Sequence, residues 1–130
     1  MNYTKGQLEA KIAEAITKFE LEYMGRGPKE KKAYIVGDMA VIQLKGVLTK
    51  AEARLAETEA GASLIKQMRI KLLEKARPLL EEIIKEHLNL KVASMHSDIS
   101  TRLGERVIIF TFDEKLENKL DLNRGTNEGK

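Results

Sequence analysis

The sequence predicts an α+β domain in which two β-hairpins form a four-stranded, mainly antiparallel sheet and helices pack against it. Two long segments have apolar residues at every third or fourth position, which is typical of amphipathic helices. Two other segments have runs of β-branched residues on either side of short glycine-containing turns, which is typical of hairpins. The predicted order along the chain is therefore α-β-β-α-β-β, with a long kinked helix between the hairpins and an N-terminal helix.

The first helix begins at a capping box formed by Thr4 and Gln7. One apolar stripe follows, made of Leu8, Ile12, Ile16, Phe19 and Tyr23. Gly25 is a suitable C-cap, and Pro28 prevents the helix from resuming. Strands are then predicted at about 33–36 and 39–46, joined by the turn dipeptide Gly37-Asp38.

A second capping box, Thr49 to Glu52, starts helical sequence that continues to about residue 88. We expect Gly61 to break or bend this helix and Pro78 to kink it, because proline loses one backbone hydrogen bond. The predicted inward stripe consists of Ile65, Met68, Leu72, Leu79, Ile83 and Leu88.

The second hairpin is predicted from "KVASMHSDIS" and "ERVIIFTFD", which flank the turn "TRLGE". Its last strand is apolar on both faces, with Val107 and Ile109 on one and Ile108, Phe110 and Phe112 on the other. In a sheet with one solvent-exposed face, polar and apolar residues alternate more regularly along each strand. We therefore expect both faces of this strand to be covered. The long helix can cover one face. The N-terminal helix or a second subunit would cover the other, and this makes a homodimer a candidate.

The composition predicts one domain at residues 1–115, followed by a polar C-terminal tail at 116–130 that we expect to be mobile, at least from residue 123. The chain has no cysteine, which excludes disulfides and thiolate chemistry. No apolar run approaches the ~20 residues of a membrane-spanning helix, and the N-terminus has no apolar core of a signal peptide. We therefore expect a cytoplasmic protein without a membrane span of its own. The net charge of +3 does not require a nucleic-acid partner.

His96 and Asp98 are the first candidate binding residues, because residues two apart on a strand point to the same side. An imidazole and a carboxylate can hold a metal ion, but the spacing nominates no third or fourth ligand. The alternative is the polar end of a hairpin, with turn-forming side chains. We assign neither residue a catalytic or metal-binding role.

Arg26 and Gly27, in the segment "GRGP", are a second candidate, because backbone N–H groups and a guanidinium could bind an anion. The alternative is a helix stop followed by a tight turn. A third candidate is the basic segment from Lys66 to Arg77, which includes Arg69 and could contact RNA phosphates or acidic lipid headgroups together with the "KEKK" loop. Glu74 interrupts that segment, and the alternative is a solvated helix face.

Several motifs together resemble a known family: "GRGP", "GVLTKAE", "ARPLLEEII" and "SDISTRLGERVIIFTF". They are similar to a bacterial family of small domains, once of unknown function and now labelled component C of a sodium-translocating, membrane-potential-generating system. The resemblance covers about residues 5–113. It implies an association with a membrane system for ion or inorganic-carbon transport, and it transfers no catalytic residue and no cofactor.

Three functions remain open from the sequence. The first is a cytoplasmic interaction or regulatory module that docks on a membrane transport protein, peripheral to the membrane through that partner. The alternative is an RNA- or nucleotide-binding module that uses the basic residues. The third is an enzyme based on His96 and Asp98. The sequence favours it least, because this is the only pair of polar residues that suggests a catalytic site.

Overall fold

The computed structural model describes residues 3–120 and has the predicted order of elements. The elements are α1 (Lys5–Met24), β1 (Glu30–Val36), β2 (Met39–Lys45), α2 (Lys50–Leu55), α3 (Glu59–Leu88), β3 (Val92–Ser100), β4 (Glu105–Phe112) and a 3₁₀ helix (Leu116–Lys119). The four strands form one sheet in the order β1-β2-β4-β3, and every pair is antiparallel. The prediction of two hairpins in one antiparallel sheet is confirmed.

The local signals in the sequence place most element boundaries correctly. Both predicted capping boxes are present, at Thr4 with Gln7 and at Thr49 with Glu52. Gly25 ends α1 with a φ of 84°, in the left-handed region that glycine adopts without strain. β1 begins at Glu30, three residues before the predicted start, so most of the "KEKK" segment is strand and not loop.

One face of the sheet carries the hydrophobic core. Alternate residues of each strand point to this face, where α1 and α3 cover them. The sheet contributes the buried side chains of Ala33, Ile35, Ala40, Ile42, Leu44, Ile99, Ile108, Phe110 and Phe112. From α1 come Leu8, Ile12, Ile16 and Phe19, as the sequence predicts.

The opposite face of the sheet, which we call the open face, is covered by no element among residues 3–120. The prediction that α1 covers this face is wrong, because α1 packs beside α3 on the core side. Val107 and Ile109 therefore point to the open face, and Ile108 and Phe110 to the core.

The inward stripe predicted for α3 is largely wrong. Ile65 and Leu88 are buried as expected, but Met68 and Leu79 are exposed. The residues that face the core are Gly61, Ile65, Arg69, Leu73, Ala76, Leu80, Ile84 and Leu88. The helix has apolar side chains on more than one face, and the true stripe contains an arginine, which hydrophobic periodicity counts against it. Pro78 lies inside the continuous helix α3, so it does not divide this segment into two helices.

The break in the second helical segment occurs before Gly61 and not at it. α2 ends at Leu55 and α3 starts at Glu59, capped by the Thr58 hydroxyl, which accepts the Gly61 N–H. A Cβ atom at position 61 would lie 1.7 Å from the Leu55 carbonyl oxygen. Gly61 is therefore the residue that lets α3 begin directly against the end of α2.

We expect Gly61→Ala to lower the free energy of unfolding by about 2 kcal/mol, because the new methyl group must push backbone apart. Urea denaturation followed by circular dichroism measures this change. Gly6→Ala is the matched control, since Gly6 also lies in the first turn of a helix and a Cβ there meets nothing within 4 Å. Equal stability of the two variants would contradict the packing role of Gly61.

The packed chain extends beyond residue 115, where the sequence placed the end of the domain. Leu116 is fully buried in the core, and its N–H donates to the Gly37 carbonyl. Leu120 forms a parallel bridge with Tyr3. Residues 116–120 therefore pack on the core through Leu116 and Leu120 and through backbone hydrogen bonds, although the segment is otherwise polar. The mobility predicted for the tail from residue 123 concerns residues outside the described ones.

Candidate functional site

An apolar groove of about 430 Å³ lies between α1 and α3 and is lined by residues of these two helices alone. Its floor is formed by Phe19, Tyr23, Leu79 and Ile83. The rings of Phe19 and Tyr23 are stacked with their centroids 5.2 Å apart. Tyr23 is 38% exposed and Leu79 is 44% exposed, so the groove presents apolar surface to the outside.

The groove has a charged rim. Lys18 and Glu22 lie along α1, and Glu86 and His87 lie along α3. The His87 Nδ1–H donates to the Ile83 carbonyl over 2.8 Å, which orients the imidazole at the end of the helix. The sequence does not reveal this groove, because Leu79 and Ile83 fit the inward stripe predicted for α3.

The open face of the sheet is the second apolar surface. The strand register aligns its side chains in rows across the four strands. One row consists of Tyr34, Val41, Ile109 and His96. The next row towards the β3–β4 turn consists of Lys32, Gln43, Val107 and Asp98. Apolar residues therefore predominate in the row of Tyr34, Val41 and Ile109, and charged residues become more frequent towards the β3–β4 turn.

His96 and Asp98 point to the same face of β3, as the sequence predicts, and both are exposed. His96 Nε2 lies 3.3 Å from the Ser94 hydroxyl. Asp98 Oδ1 accepts the Ile99 N–H and lies 3.1 Å from Lys66 Nζ. These two contacts, the Ile99 hydrogen bond first, lower the pKa of Asp98 below its ordinary value.

Of the other sequence candidates, Lys66 of the basic segment contacts Asp98, whereas Arg26 and Gly27 are not brought to the His96–Asp98 pair. Arg26 and Gly27 are half-buried in the turn before β1, and β1 and β3 are the two outer strands of the sheet. No group of three or more histidine, aspartate or glutamate side chains with the geometry of a metal site occurs within residues 3–120.

Arg69 is not a surface residue, and its predicted contact with RNA phosphate is incompatible with its position. It is only 4% exposed, and its guanidinium binds Glu52 through two hydrogen bonds, from Nε and Nη2, of 2.9 and 2.8 Å. Nη2 also donates to the Val47 carbonyl. Elsewhere in the basic segment, Lys66 pairs with Asp98 and Arg77 pairs with Glu81, while Lys71 and Lys75 are exposed.

A second buried ion pair lies next to the first. Glu20 of α1 and Arg106 of β4 are 1% and 2% exposed, and Arg106 Nη1 lies 3.8 Å from Glu20 Oε2. Arg106 Nη2 lies 3.4 Å from the Arg69 carbonyl, so the two pairs adjoin. Within the described part of the chain, Glu20 Oε2 and Arg106 Nη1 have no hydrogen-bond partner.

Burial dominates the titration of the second pair. It raises the pKa of Glu20 above its ordinary value of 4.5, although Arg106 and Arg69 oppose this change. Burial also lowers the pKa of Arg106. Burial alone would also raise the pKa of Glu52. The hydrogen bonds from Arg69 and Thr49 outweigh burial there, so the pKa of Glu52 lies below 4.5.

The sequence contained a signal for each buried charge. Glu20 and Arg69 each lie one helical turn after a core isoleucine, Ile16 and Ile65. Arg106 lies two residues before Ile108 on a strand, and so on its core face. Extending the apolar stripes through charged positions would have found all three residues.

The architecture defines a small α+β protein with helices on one face of a single antiparallel sheet, an apolar groove between the helices and an uncovered sheet face. No helix within residues 3–120 is long and apolar enough to cross a membrane. The chain belongs to the family described as "Na+-translocating membrane potential-generating system (MpsC)", which matches residues 4–114. This confirms the resemblance carried by the sequence motifs.

Two relatives come from Bacillus subtilis (strain 168). The chain is 40% identical to "Uncharacterized protein YbcI" over 121 residues, which cover 93% of this chain and 98% of the relative. It is 30% identical to "Uncharacterized protein YrhF" over 108 residues, which cover 80% of this chain and 86% of the relative. No solved structure matches the chain.

Proposed function

We propose that this protein is an interaction module that docks on a membrane protein of the sodium-translocating system named by its family. The observation that carries the proposal is the groove between α1 and α3, whose floor of Phe19, Tyr23, Leu79 and Ile83 is apolar and open to the outside. Grooves between two helices commonly bind the apolar face of a third helix. The family description supplies the membrane system.

The occupant that suits this groove is a basic amphipathic helix at the cytoplasmic end of a membrane-spanning segment. The carboxylates of Glu22 and Glu86 stand on opposite sides of the groove, where they can pair with lysine or arginine flanking an apolar stripe. Cytoplasmic segments of membrane proteins carry an excess of these two residues. The proposal therefore places the protein in the cytoplasm, peripheral to the membrane through its partner.

The proposal predicts that Leu79→Glu weakens binding to native membranes at least about tenfold, because burying a leucine contributes about 1.5 to 3 kcal/mol and 1.4 kcal/mol is a factor of ten. The measurement is a sedimentation titration of the purified protein with inside-out vesicles from the native host. Leu64→Glu is the matched control: Leu64 is on the same helix, is 59% exposed and lies outside the groove. It should bind like the unmodified protein.

Two further arms identify what is bound. Trypsin treatment of the vesicles should abolish binding, because it removes the cytoplasmic segments of membrane proteins. Protein-free liposomes made from the same lipids should not bind the protein. Binding to those liposomes, or equal loss in the Leu64 and Leu79 variants, would contradict docking through the groove.

A further inference from the structure

We infer that the open face of the sheet pairs two copies of this chain, oriented so that β1 of one copy lies over β3 of the other. This inference uses a different surface from the proposed function and does not depend on it. The open face carries apolar side chains on three of its strands: Tyr34 and Val36 on β1, Met39 and Val41 on β2, and Val107 and Ile109 on β4. No described element covers them, although they form a contiguous field in the strand register.

The charges at the margin of this field select the orientation. The two-fold axis of a symmetric pair of sheets can run along the strands, through the middle of the sheet between β2 and β4. Each side chain then faces the residue of the same row on the opposite side of that axis. Lys32 faces the partner's Asp98, and Lys45 faces the partner's Glu105. Symmetry repeats each contact, so four opposite-charge pairs form on the side of the apolar centre nearer the β3–β4 turn.

The same orientation joins apolar residues at the centre. Val41 faces the partner's Ile109, and Gln43 faces the partner's Val107. Tyr34 faces the partner's His96, which gives this exposed imidazole an aromatic neighbour. Aligned packing of two sheets about 10 Å apart brings such side chains into contact.

The other symmetric orientation, with the axis across the strands, matches poorly. It would reverse the order of the rows, so that the charged row containing Glu30, Lys45 and Glu105 would lie over the row containing Val36, Met39 and Thr111. Charges would then be removed from water against apolar groups, which is unfavourable. Charge complementarity therefore selects a second copy in one register, with β1 over β3.

The contacts that these charges already make within the chain do not prevent the pairing. Lys66 and Asp98 form an exposed ion pair at the edge of the sheet, with side chains 46% and 71% exposed. Lys45 and Glu30 are 3.9 Å apart and also exposed. Exposed pairs of this kind are weak and rearrange readily.

The test is a charge reversal measured by sedimentation equilibrium, at protein concentrations on both sides of the micromolar range. All variants carry Lys66→Gln, so that a lysine introduced at position 98 does not meet Lys66. In this background the protein should dimerise. Lys32→Glu alone and Asp98→Lys alone should each raise the dissociation constant at least about tenfold, because like charges then face each other twice. The combined variant should recover the dimer.

Matched controls separate the register from a general effect of charge. Leu64→Glu and the groove variant Leu79→Glu should both leave the dissociation constant unchanged, because neither residue is on the open face. If only the monomer is found at every concentration, the inference is overturned, and the open face would have to bind another protein. A dimer that ignores the reversals, or whose loss the combined variant does not repair, would overturn it as well.

Discussion

Replacing Arg69 with methionine is expected to lower the free energy of unfolding by about 3 to 5 kcal/mol, the cost of breaking a buried ion pair from one side. The methionine can fill the space of the aliphatic stem, but it cannot donate to Glu52 or to the Val47 carbonyl. Both acceptors then stay in a site from which water is largely excluded. Because Val47 begins the segment that leads into α2, the attachment of α2 should loosen first.

Arg77→Met is the matched control for this prediction. Arg77 is on the same helix and also pairs with a glutamate, at 2.6 Å, but the side chains of Arg77 and Glu81 are 41% and 35% exposed. Its loss should cost no more than about 0.5 kcal/mol. Guanidinium chloride denaturation of the two variants measures the difference. Similar costs for both would show that burial of Arg69 contributes nothing special.

The effect of Arg69→Met should also depend on pH. The pKa of Glu52 is lowered in the folded state, so its contribution to stability is present above its ordinary pKa of 4.5 and is lost as the pH falls through the folded value. The stability difference between the unmodified protein and the variant should therefore shrink in acid. A difference that is constant down to the lowest pH would contradict the ion pair as its source.

The pair formed by Glu20 and Arg106 should show strong coupling in a double-mutant cycle. Glu20→Met leaves a buried guanidinium without its counter-ion, and Arg106→Met leaves a buried carboxyl group. The first change should cost about 3 to 5 kcal/mol. The second should cost less, because a carboxyl group can take up a proton at accessible pH and an arginine cannot lose one.

The double variant Glu20→Met/Arg106→Met should come within about 1 kcal/mol of the unmodified protein or exceed its stability, since apolar side chains often replace a buried ion pair without loss. This pair is suited to apolar replacement, because Arg106 Nη1 and Glu20 Oε2 are 3.8 Å apart and have no hydrogen-bond partners among residues 3–120. Thermal and chemical denaturation of all four proteins gives the coupling energy. Additive losses would show that the pair does not act as a unit.

The stability of the Arg106→Met variant should change with pH in the direction opposite to the contribution of Glu52. Burial raises the pKa of Glu20 in the folded state, and removal of Arg106 takes away the larger of the two arginine effects that oppose this. A carboxyl group with a raised folded pKa contributes stability below its unfolded pKa and loses it as the pH rises through the folded value. The stability of this variant should therefore decrease as the pH rises above the ordinary glutamate pKa of 4.5.

The two proposed surfaces share no residue, because the groove is lined by α1 and α3 and the open face is formed by the strands. A dimer formed through the open face would present two grooves between α1 and α3. Two linked binding sites raise the overall affinity for a partner that occurs in more than one copy. On this proposal, self-association and membrane docking strengthen each other without sharing a residue.

Local chemistry determined much of this protein. The capping boxes at Thr4 and Thr49, the C-cap at Gly25 and the turn at Gly37-Asp38 each depend on residues a few positions apart, and all four are where the sequence places them. The alternating pattern of β4 also assigned its two faces correctly, because successive side chains of a strand point to opposite sides. The motifs also indicated the family that matches residues 4–114.

Only the tertiary structure decided which apolar residues of α3 form the core. Arg69 belongs to the buried stripe because Glu52 and Val47, which are distant in the sequence, pair with its charge and accept hydrogen bonds from its Nε and Nη2 atoms. With Arg69 in the buried stripe, Leu79 lies on another face of α3, outside the core, where it helps to form the groove. The position of α1 was decided in the same way, since its packing beside α3 left the second face of the sheet open. Periodicity reports the hydrophobicity of each residue, whereas burial depends on partners that meet only when the chain has folded.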